Sequence, residues 1–329
     1  NKLSATFEDY KGQAKDRLMG DPLPSSNGQK ETSRNIGSLE NYGYEFEIRY
    51  NILKNKDFYW DIYANASHFR NKITDLPYGE RESQTTINNS DTGNAYYQWK
   101  VGNSCYDMYV SDWAGINPEN GRNQWWKYSF DDNGNIIGKE LTENFSEVNS
   151  TEQRVTGYSA LPKLYGSFGT DFRWKGLDLS LMFYYSLGGY IYDYNLGESS
   201  VVRESWATYE NQERSWKKPG DITDIPKMYM GYMSQAYSGN NIGSSQWIYK
   251  NNFMRLKNLT VGYTFKFDFF KKAGIDKVRV YFRGDNRFTT GKAARNGTDP
   301  EAGGLMGQNK SGLTYFATRN YNFGINVTF

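Results

Sequence analysis

The end of the chain, from Tyr321 to Phe329, alternates strictly between apolar and polar side chains. Tyr321, Phe323, Ile325, Val327 and Phe329 are interleaved with Asn322, Gly324, Asn326 and Thr328. Successive side chains of a β-strand point to opposite faces, so a period of two predicts a strand with one apolar and one polar face. Such a strand needs different surroundings on its two faces, and this requirement restricts the fold more than any other feature of the sequence.

The same alternation recurs along the chain. It is weaker in Lys2–Tyr10 and clear in Tyr44–Asn51, Phe58–Ala66, Leu164–Trp174, Leu177–Tyr185, Leu259–Phe267 and Lys277–Phe288. Together with the last segment, these stretches predict about eight strands. The motif Asp131-Asp132-Asn133-Gly134 is a good hairpin turn, so a further hairpin is predicted inside Asn71–Lys163.

Short and long links alternate between the predicted strands. The short links are Asn51–Asp57, Lys175–Gly176 and Asp268–Asp276, and the long ones are Lys11–Asn41, Asn71–Lys163, Gly188–Asn252 and Thr289–Thr318. A transmembrane β-barrel has short periplasmic turns and long extracellular loops, so this pattern predicts that fold. Phe329 then lies at the periplasmic rim, and any extra strands in Asn71–Lys163 must come in pairs to keep it there.

The aromatic content agrees with a membrane barrel. Aromatic residues make up 17% of the chain, yet its mean hydropathy is −0.82. Rings gather at the strand ends that are predicted to be periplasmic, as in an interfacial girdle. The apolar runs, such as Leu181–Tyr185, are far shorter than the roughly 20 residues of a transmembrane helix.

Two architectures remain open for these strands. Eight strands can close a small barrel, but such barrels rarely carry loops of ~60 residues or more, so an incomplete larger barrel explains the links better. The alternative is a soluble or surface all-β carbohydrate-binding module or adhesin. That fold would bury the apolar stripes of its strands against a second sheet.

Composition excludes several functions. The net charge is +2, with 39 basic and 37 acidic residues, which is too balanced for a nucleic-acid-binding surface. Cys105 is the only cysteine and His68 the only histidine, so Cys-based metal sites and most Ser-His-Asp chemistry are excluded. Asp131, Asp132 and the motif Asp299-Pro300-Glu301 lie in turn-rich loops, where carboxylates cap turns far more often than they transfer protons. We therefore expect no enzyme activity, cofactor or metal.

The one functional cluster in the sequence is aromatic. It lies in the longest link among Asn, Arg and Lys residues, and it consists of Tyr96, Tyr97, Trp99, Trp113, Trp125 and Trp126. Flat rings stack on sugars or hold peptide side chains, so these residues are candidates for substrate contact. The alternative is that the rings pack the loop against itself or against a lid protein.

Several longer motifs follow one another along the chain. They are Asp16-Arg17-Leu18-Met19, Asn35-Ile36-Gly37-Ser38-Leu39-Glu40-Asn41, Gly43-Tyr44-Glu45-Phe46, Gly115-Ile116-Asn117-Pro118-Glu119-Asn120-Gly121, Leu161-Pro162-Lys163-Leu164-Tyr165-Gly166, Met254-Arg255-Leu256-Lys257-Asn258-Leu259-Thr260, Asp299-Pro300-Glu301 and Phe323-Gly324-Ile325-Asn326-Val327-Thr328-Phe329. Together they resemble the SusC/RagA family of TonB-dependent transporters, although Asn117 stands where the family often has Asp.

The resemblance implies a fold and a set of partners. Residues 1–329 would be the C-terminal part of a barrel of about 22 strands, with the plug domain and the earlier strands outside this chain. The protein would import a glycan or a peptide across the bacterial outer membrane with TonB energy and a SusD-like surface lipoprotein as lid. The resemblance also allows a dimer of transporter–lipoprotein pairs. It makes Phe329 the signal that the barrel-assembly machinery reads.

Overall fold

The computed structural model describes residues 2–22, 37–76, 99–148, 153–193, 210–228, 243–266, 274–302 and 315–329, together with 26, 28, 29, 31–35, 96, 97, 150, 196, 197, 269, 308 and 309. Long strands dominate this part of the chain. They are β1 (Leu3–Ala14), β2 (Ser38–Lys54), β3 (Phe58–Asp75), β4 (Leu164–Trp174), β5 (Leu177–Leu187), β6 (Phe253–Phe265), β7 (Lys277–Gly291) and β8 (Asn320–Thr328). Each predicted strand is present.

The eight long strands form one antiparallel sheet, in which each strand pairs with the preceding and the following long strand. β4 coincides with its prediction residue for residue. β2 and β3 extend beyond theirs, because the backbone ladder continues where the apolar stripe stops. β6 begins earlier than predicted because a bulge between Leu256 and Asn258 interrupts the period of two.

The two faces of the sheet differ in polarity. On one face the apolar side chains are exposed in this chain, Phe7 to 66% and Phe323 to 81%. The register places Phe7 beside Phe46 and Phe323 beside Phe282, so the apolar side chains form a band across the strands. A soluble sandwich would bury this band under a second sheet. Its exposure identifies the sheet as a barrel wall whose apolar face meets lipid.

The opposite face carries charged groups. The register places on it Glu45, Glu47, Arg49, Asp171 and Arg173. Arg49 pairs with the fully buried Asp61. Arg279 Nε donates to Asp178 Oδ1 over 2.9 Å. The first pair links the neighbouring strands β2 and β3, and the second spans β6 to join β5 to β7 on the polar face.

Two tyrosines on the polar face occupy space that a side chain on the next strand would need. Tyr281 of β7 lies opposite Gly324 of β8, where an added Cβ would come within 2.4 Å of the ring. Tyr63 of β3 and Gly169 of β4 repeat the arrangement, with 2.5 Å from such a Cβ to the hydroxyl. These strand glycines therefore permit close packing of rings.

The strand order places the short turns at one end of the sheet and the long loops at the other. Shorter strands in the loops are Leu18–Pro22, Glu31–Asn35, Tyr96–Tyr97, Asp107–Ser111, Trp113–Ile116, Asn123–Phe130, Ile136–Thr142, Arg154–Ser159, Tyr190–Asp193, Ile248–Lys250 and Gln308–Asn309. The predicted hairpin is confirmed, because Asn123–Phe130 pairs with Ile136–Thr142. Asp131 Oδ1 accepts the N–H groups of Asn133 and Asn135, which caps the turn as predicted.

Helical structure in the described segments is short. It comprises the 3₁₀ turns Phe145–Glu147, Glu210–Arg214 and Ser245–Trp247 and the helix Lys292–Arg295. None of the helices in the described segments is long and apolar enough to cross a membrane.

Candidate functional site

The loops that follow β3, β5 and β7 pack on one another at the long-loop end of the sheet. The described residues within 96–163, 188–252 and 292–309 are called the loop platform. Its core consists of Tyr97, Met108, Val110, Tyr192, Trp247 and Ile248. Tyr190–Asp193 pairs with Ile248–Lys250 and runs parallel to Gln308–Asn309 of the third loop. Segments far apart in sequence therefore form one folded unit.

The first and second loops of the platform share hydrogen bonds around Asp112. Trp113 N–H donates to Ser245 Oγ over 2.8 Å, and Ser245 Oγ donates to Asp112 Oδ1 over 3.3 Å. Tyr128 Oη donates to Asp112 Oδ2 over 2.6 Å. Burial, the hydrogen bond to Asp112 and the charge of Asp112 raise the pKa of Tyr128 above its ordinary value. The hydroxyl therefore remains a donor at neutral pH.

Two of the rings predicted to contact substrate lie inside the platform. Trp125 is fully buried, donates Nε1–H to Ser244 Oγ over 3.3 Å, and packs against the ring of Phe145. Tyr97 belongs to the platform core. In this arrangement both rings hold the loops together.

Two further rings of the predicted set are half-buried. Trp113 lies opposite Trp125 in the strand pairing and donates Nε1–H to Asn123 Oδ1 over 3.0 Å. The ammonium of Lys139 lies 3.9 Å from the centroid of the Trp126 ring. This distance is typical of a cation–π contact, so Lys139 covers one face of the ring.

Trp99 and Tyr96 complete the predicted set. Trp99 packs against the edge of the platform core. The backbone of Tyr96 pairs with Tyr109, while its side chain lies outside the described residues. The structure thus brings Trp113 and Trp125 together, whereas Tyr97, Trp99 and Trp126 lie at other places in the platform. Substrate contact by the set stays a prediction.

The motif Gly115–Gly121 forms a hairpin turn around a carboxylate that sequence reasoning missed. Glu143 Oε1 accepts the side-chain amides of Asn117 (2.7 Å) and Asn120 (2.9 Å). Arg122 Nη1 donates to Glu143 Oε2 over 3.4 Å. Burial works to raise the pKa of Glu143, but these hydrogen bonds and the Arg122 charge outweigh it and lower the pKa. Asp at position 117 would add a second carboxylate, so Asn suits this site.

A segment of the second loop rests on the same turn. Trp216 Nε1–H donates to Pro118 O over 2.8 Å, and Lys227 N–H donates to Gly121 O over 2.8 Å. Gly121 has a φ of 77°, and a Cβ added there would come within 2.6 Å of the Trp216 ring. Glycine at position 121 therefore allows both the turn and the docking of the second loop.

The motif Asp299-Pro300-Glu301 is held by cations at the start of β6. Arg255, which is 3% exposed, binds Asp299 Oδ1 through Nη2 at 2.5 Å and also pairs with Glu301. Lys257 Nζ lies 2.7 Å from Glu301 Oε1. Asp299 Oδ1 also accepts Glu301 N–H over 3.0 Å, which is the predicted capping role. Burial works to raise the pKa of Asp299, but Arg255 and backbone N–H groups outweigh it and lower the pKa.

A buried carboxylate joins the second and third loops. Asp193 is fully buried, and its Oδ2 accepts Tyr249 Oη over 2.5 Å. Its Oδ1 accepts Thr298 Oγ1 over 3.1 Å. Burial and the charge of Asp193 raise the pKa of Tyr249 above its ordinary value. These hydrogen bonds therefore hold the second and third loops together.

His68 and Cys105 lie in different surroundings. His68 Nδ1 lies 2.7 Å from Lys163 O, and its ring stacks on Tyr44 with centroids 6.2 Å apart. Cys105 is half-buried, and burial raises the pKa of its thiol. Across the part of the chain that the structure describes, His, Cys, Asp and Glu form no group of three that could hold a metal.

Comparison with known proteins gives a consistent result. No protein-family model matches the chain. The chain is 30% identical to TonB-dependent receptor P3 of Formosa agariphila over 352 residues, which cover 100% of the chain and 32% of the receptor. It is 27% identical to TonB-dependent receptor SusC of Bacteroides thetaiotaomicron, covering 91% of the chain and 28% of SusC.

Solved structures agree with these relatives. The RagAB peptide transporter matches with a TM-score of 0.77 and 26% identity, covering 100% of the chain and 34% of the matched chain. The RagAB peptide importer in the open-open state matches with a TM-score of 0.75 and 25% identity, covering 100% of the chain and 33% of the matched chain. The chain therefore spans about a third of the length of the relatives it matches.

Proposed function

Because the chain belongs to the SusC/RagA family of TonB-dependent receptors, we propose that the protein containing it imports a large solute across the bacterial outer membrane. The observation that carries the proposal is the match of the whole chain to RagAB at a TM-score of 0.77. The two-faced sheet supports it, since a barrel wall separates lipid from a wet interior. The relatives are transporters and receptors, so this chain is not an enzyme.

We place the chain at the C-terminal end of a barrel of about 22 strands. The remaining two thirds of the protein would hold the earlier strands and a plug domain. That plug would fill the lumen against the polar face, where Glu45, Arg49 and Arg173 project. Energy from TonB would then move the plug, and the solute would pass without covalent change.

A SusD-like surface lipoprotein is the proposed lid at the long-loop end. One hairpin of the platform offers it an apolar surface, because Ile136, Ile137 and Leu141 are 54%, 69% and 50% exposed. Exposed apolar side chains in such a group are typical of interaction sites. The solute, a glycan or a peptide, would be held between the lid and the half-buried rings Trp99, Trp113 and Trp126.

The proposal is tested in cells that express the full-length protein with and without the SusD-like lipoprotein proposed as its lid. The probes are fluorescently labelled peptides from a casein digest and labelled starch oligosaccharides. We expect high-affinity uptake of one probe class, and its loss when the lipoprotein is deleted. Surface labelling confirms equal amounts of barrel in the two strains. Unchanged uptake without the lipoprotein would contradict the two-component model.

A further inference from the structure

On the lipid-facing side of the sheet, the apolar band ends before the strands do. β3 contributes Ile62 and Ala64 to the band, and the same face of the strand continues with His68, Arg70 and Lys72. Every second side chain of a strand points to the same face, so this row leads directly from the apolar band to a group of cations. These cations lie at the long-loop end of the wall.

The neighbouring strands extend this charged region. The register places Lys11 of β1 in the same row as Arg70, with one strand between them. Lys11 Nζ lies 2.8 Å from Glu40 Oε2, and Asp9 is the other carboxylate on this part of the face. No ion pair among the described residues involves Arg70 or Lys72. Lys11, Arg70 and Lys72, named the cationic patch, therefore outnumber the acids beside them.

Arg70 is held in position by backbone carbonyl groups. Its Nη1 donates to Phe69 O over 2.8 Å and to Pro162 O over 2.9 Å. A guanidinium group has five N–H donors in a planar fork, so donors remain for a further acceptor. The oxygens of a phosphate group match this fork, and the contact combines charge with directed hydrogen bonds. Arg70 is therefore suited to bind a phosphate group at the edge of the apolar band.

A shallow groove of about 440 Å³ lies in the apolar band, on the short-turn side of the cationic patch. The side chains of this face that line it are Ile48, Ile62, Ala64, Phe168 and Phe183. Ala66 of β3 and Gly166 of β4 lie opposite each other in the next row towards the patch. Because both residues are small, the depression between the larger rings continues along β3 towards Arg70.

The distance between the groove and the cationic patch matches one leaflet of a membrane. Ala64 and Arg70 are six residues apart on β3, which corresponds to about 20 Å along an extended strand. The strands of membrane barrels tilt by about 35–45°, so this length spans roughly 15 Å of depth. Half of a hydrocarbon core of about 30 Å has the same depth. A lipid with its head group at Arg70 would therefore lay an acyl chain in the groove.

We propose that the cationic patch binds a phosphate group of a phosphorylated glycolipid of the outer leaflet, and that an acyl chain of this lipid occupies the groove. Cations at the edge of the apolar band complement the charge of a phosphorylated head group. Tyr42, opposite Arg70, and Glu40, opposite Lys72, offer hydrogen-bonding groups to the sugar hydroxyls of that head group. The inference rests on the proposed function, which makes the long-loop end extracellular.

The test measures lipid binding to the full-length protein in detergent by native mass spectrometry. The probes are bisphosphorylated lipid A, lipid A without its phosphates, and phosphatidylglycerol. We expect lipid A to bind, and the form without phosphates to bind at least roughly tenfold more weakly, because Arg70 loses a charged acceptor. Phosphatidylglycerol has a phosphate and acyl chains but no sugar, so it should also bind more weakly. Inorganic phosphate at the concentration of the lipid should not displace lipid A.

Two variants and their matched controls locate the site. Lys72→Gln should weaken lipid A binding roughly fivefold, whereas Lys218→Gln, on the exposed surface of the loop platform, should not change it. Ala64→Phe fills the groove and should also weaken binding. Val327→Phe is the control for the groove, because Val327 is 43% exposed on the same face of β8, far from β3. Gel mobility confirms that each variant folds as a barrel.

Several outcomes would overturn the inference. They are equal binding of the three lipids by the wild type, displacement of lipid A by inorganic phosphate, and unchanged binding in either Lys72→Gln or Ala64→Phe. The measurement involves no solute, TonB or lipoprotein, so it is independent of uptake. Absent lipid A binding with normal uptake in cells would contradict this inference alone, whereas normal binding without uptake would contradict the import proposal alone.

Discussion

Single carboxylates hold the loops of this molecule in place. Glu143 and Asp299 each accept several hydrogen bonds, and each has a pKa below its ordinary value. For a carboxyl group with a lowered pKa, the contribution to stability is present above the ordinary pKa of the group, which is 4.5 for a glutamate side chain. This contribution is lost as the pH falls through the lowered, folded-state pKa.

Replacing Glu143 with Gln removes this charge at neutral pH. We expect the Gly115–Gly121 turn to open more often, at a cost of about 1–2 kcal/mol, because Asn117, Asn120 and Arg122 lose a charged acceptor. Hydrogen exchange of that segment at pH 7, measured by mass spectrometry on the full-length protein, reports the change. The wild type should approach the variant only well below pH 4.5.

The control is Glu140→Gln, since the Glu140 side chain is 69% exposed and forms a surface ion pair with Lys127. A surface pair of this kind contributes little to stability. Equal exchange in the two variants would show that Glu143 does not organise the turn.

A second prediction at the scale of single residues concerns the contact between Tyr281 and Gly324. Gly324→Ala should lower the free energy of unfolding by about 1–3 kcal/mol, because a Cβ would overlap the Tyr281 ring. Gly138→Ala, in the strand Ile136–Thr142, is the control, since the atom nearest to a Cβ added there is Ser129 Cβ at 4.0 Å. Urea unfolding of the full-length barrel, followed by gel mobility, measures both.

A double variant identifies the ring as the cause. If Tyr281 produces the clash, adding Tyr281→Ala to Gly324→Ala should cost less than the sum of the two single changes. Strict additivity would assign the loss to the backbone of β8 instead.

At the scale of the elements, the period of two located each long strand but misjudged several ends. β3 continues to Asp75 because polar residues pair their backbones as readily as apolar ones. The start of β6 was missed because one bulge shifts the alternation. The pairings of Gly115–Gly121 with Glu143, and of Asp299 with Arg255, gave no sequence signal, since each joins residues brought together only by folding.

A further prediction concerns Phe329, which follows β8 and is the expected signal for barrel assembly. Phe329 is 86% exposed at the short-turn end, beside the apolar band. Deleting it should lower the amount of barrel in the outer membrane more than it lowers solute affinity, as expected for an assembly signal. Surface labelling and a binding assay on the same cells separate the two effects. Normal surface levels without Phe329 would refute the role.

At the scale of the whole molecule, a band of apolar side chains is exposed on one face of the sheet. Phe7, Phe323 and Ile325 are 66%, 81% and 68% exposed, and together they contribute to a lipid-facing surface. The full-length protein should therefore be monodisperse in detergent and aggregate when the detergent is removed, as light scattering can measure. A monodisperse protein in plain buffer would contradict the barrel.

The sequence by itself determined the strands, their two faces and the end of the sheet at which each link lies. Alternation and link length are local properties, and the difference between lipid and water acts on each strand separately. Only the tertiary structure decided how the long loops pack, and so which predicted rings are buried. Trp125 and Tyr97 lie inside the platform, whereas Trp99 is half-buried at the edge of its core. Packing between distant segments, rather than residue type, made that distinction.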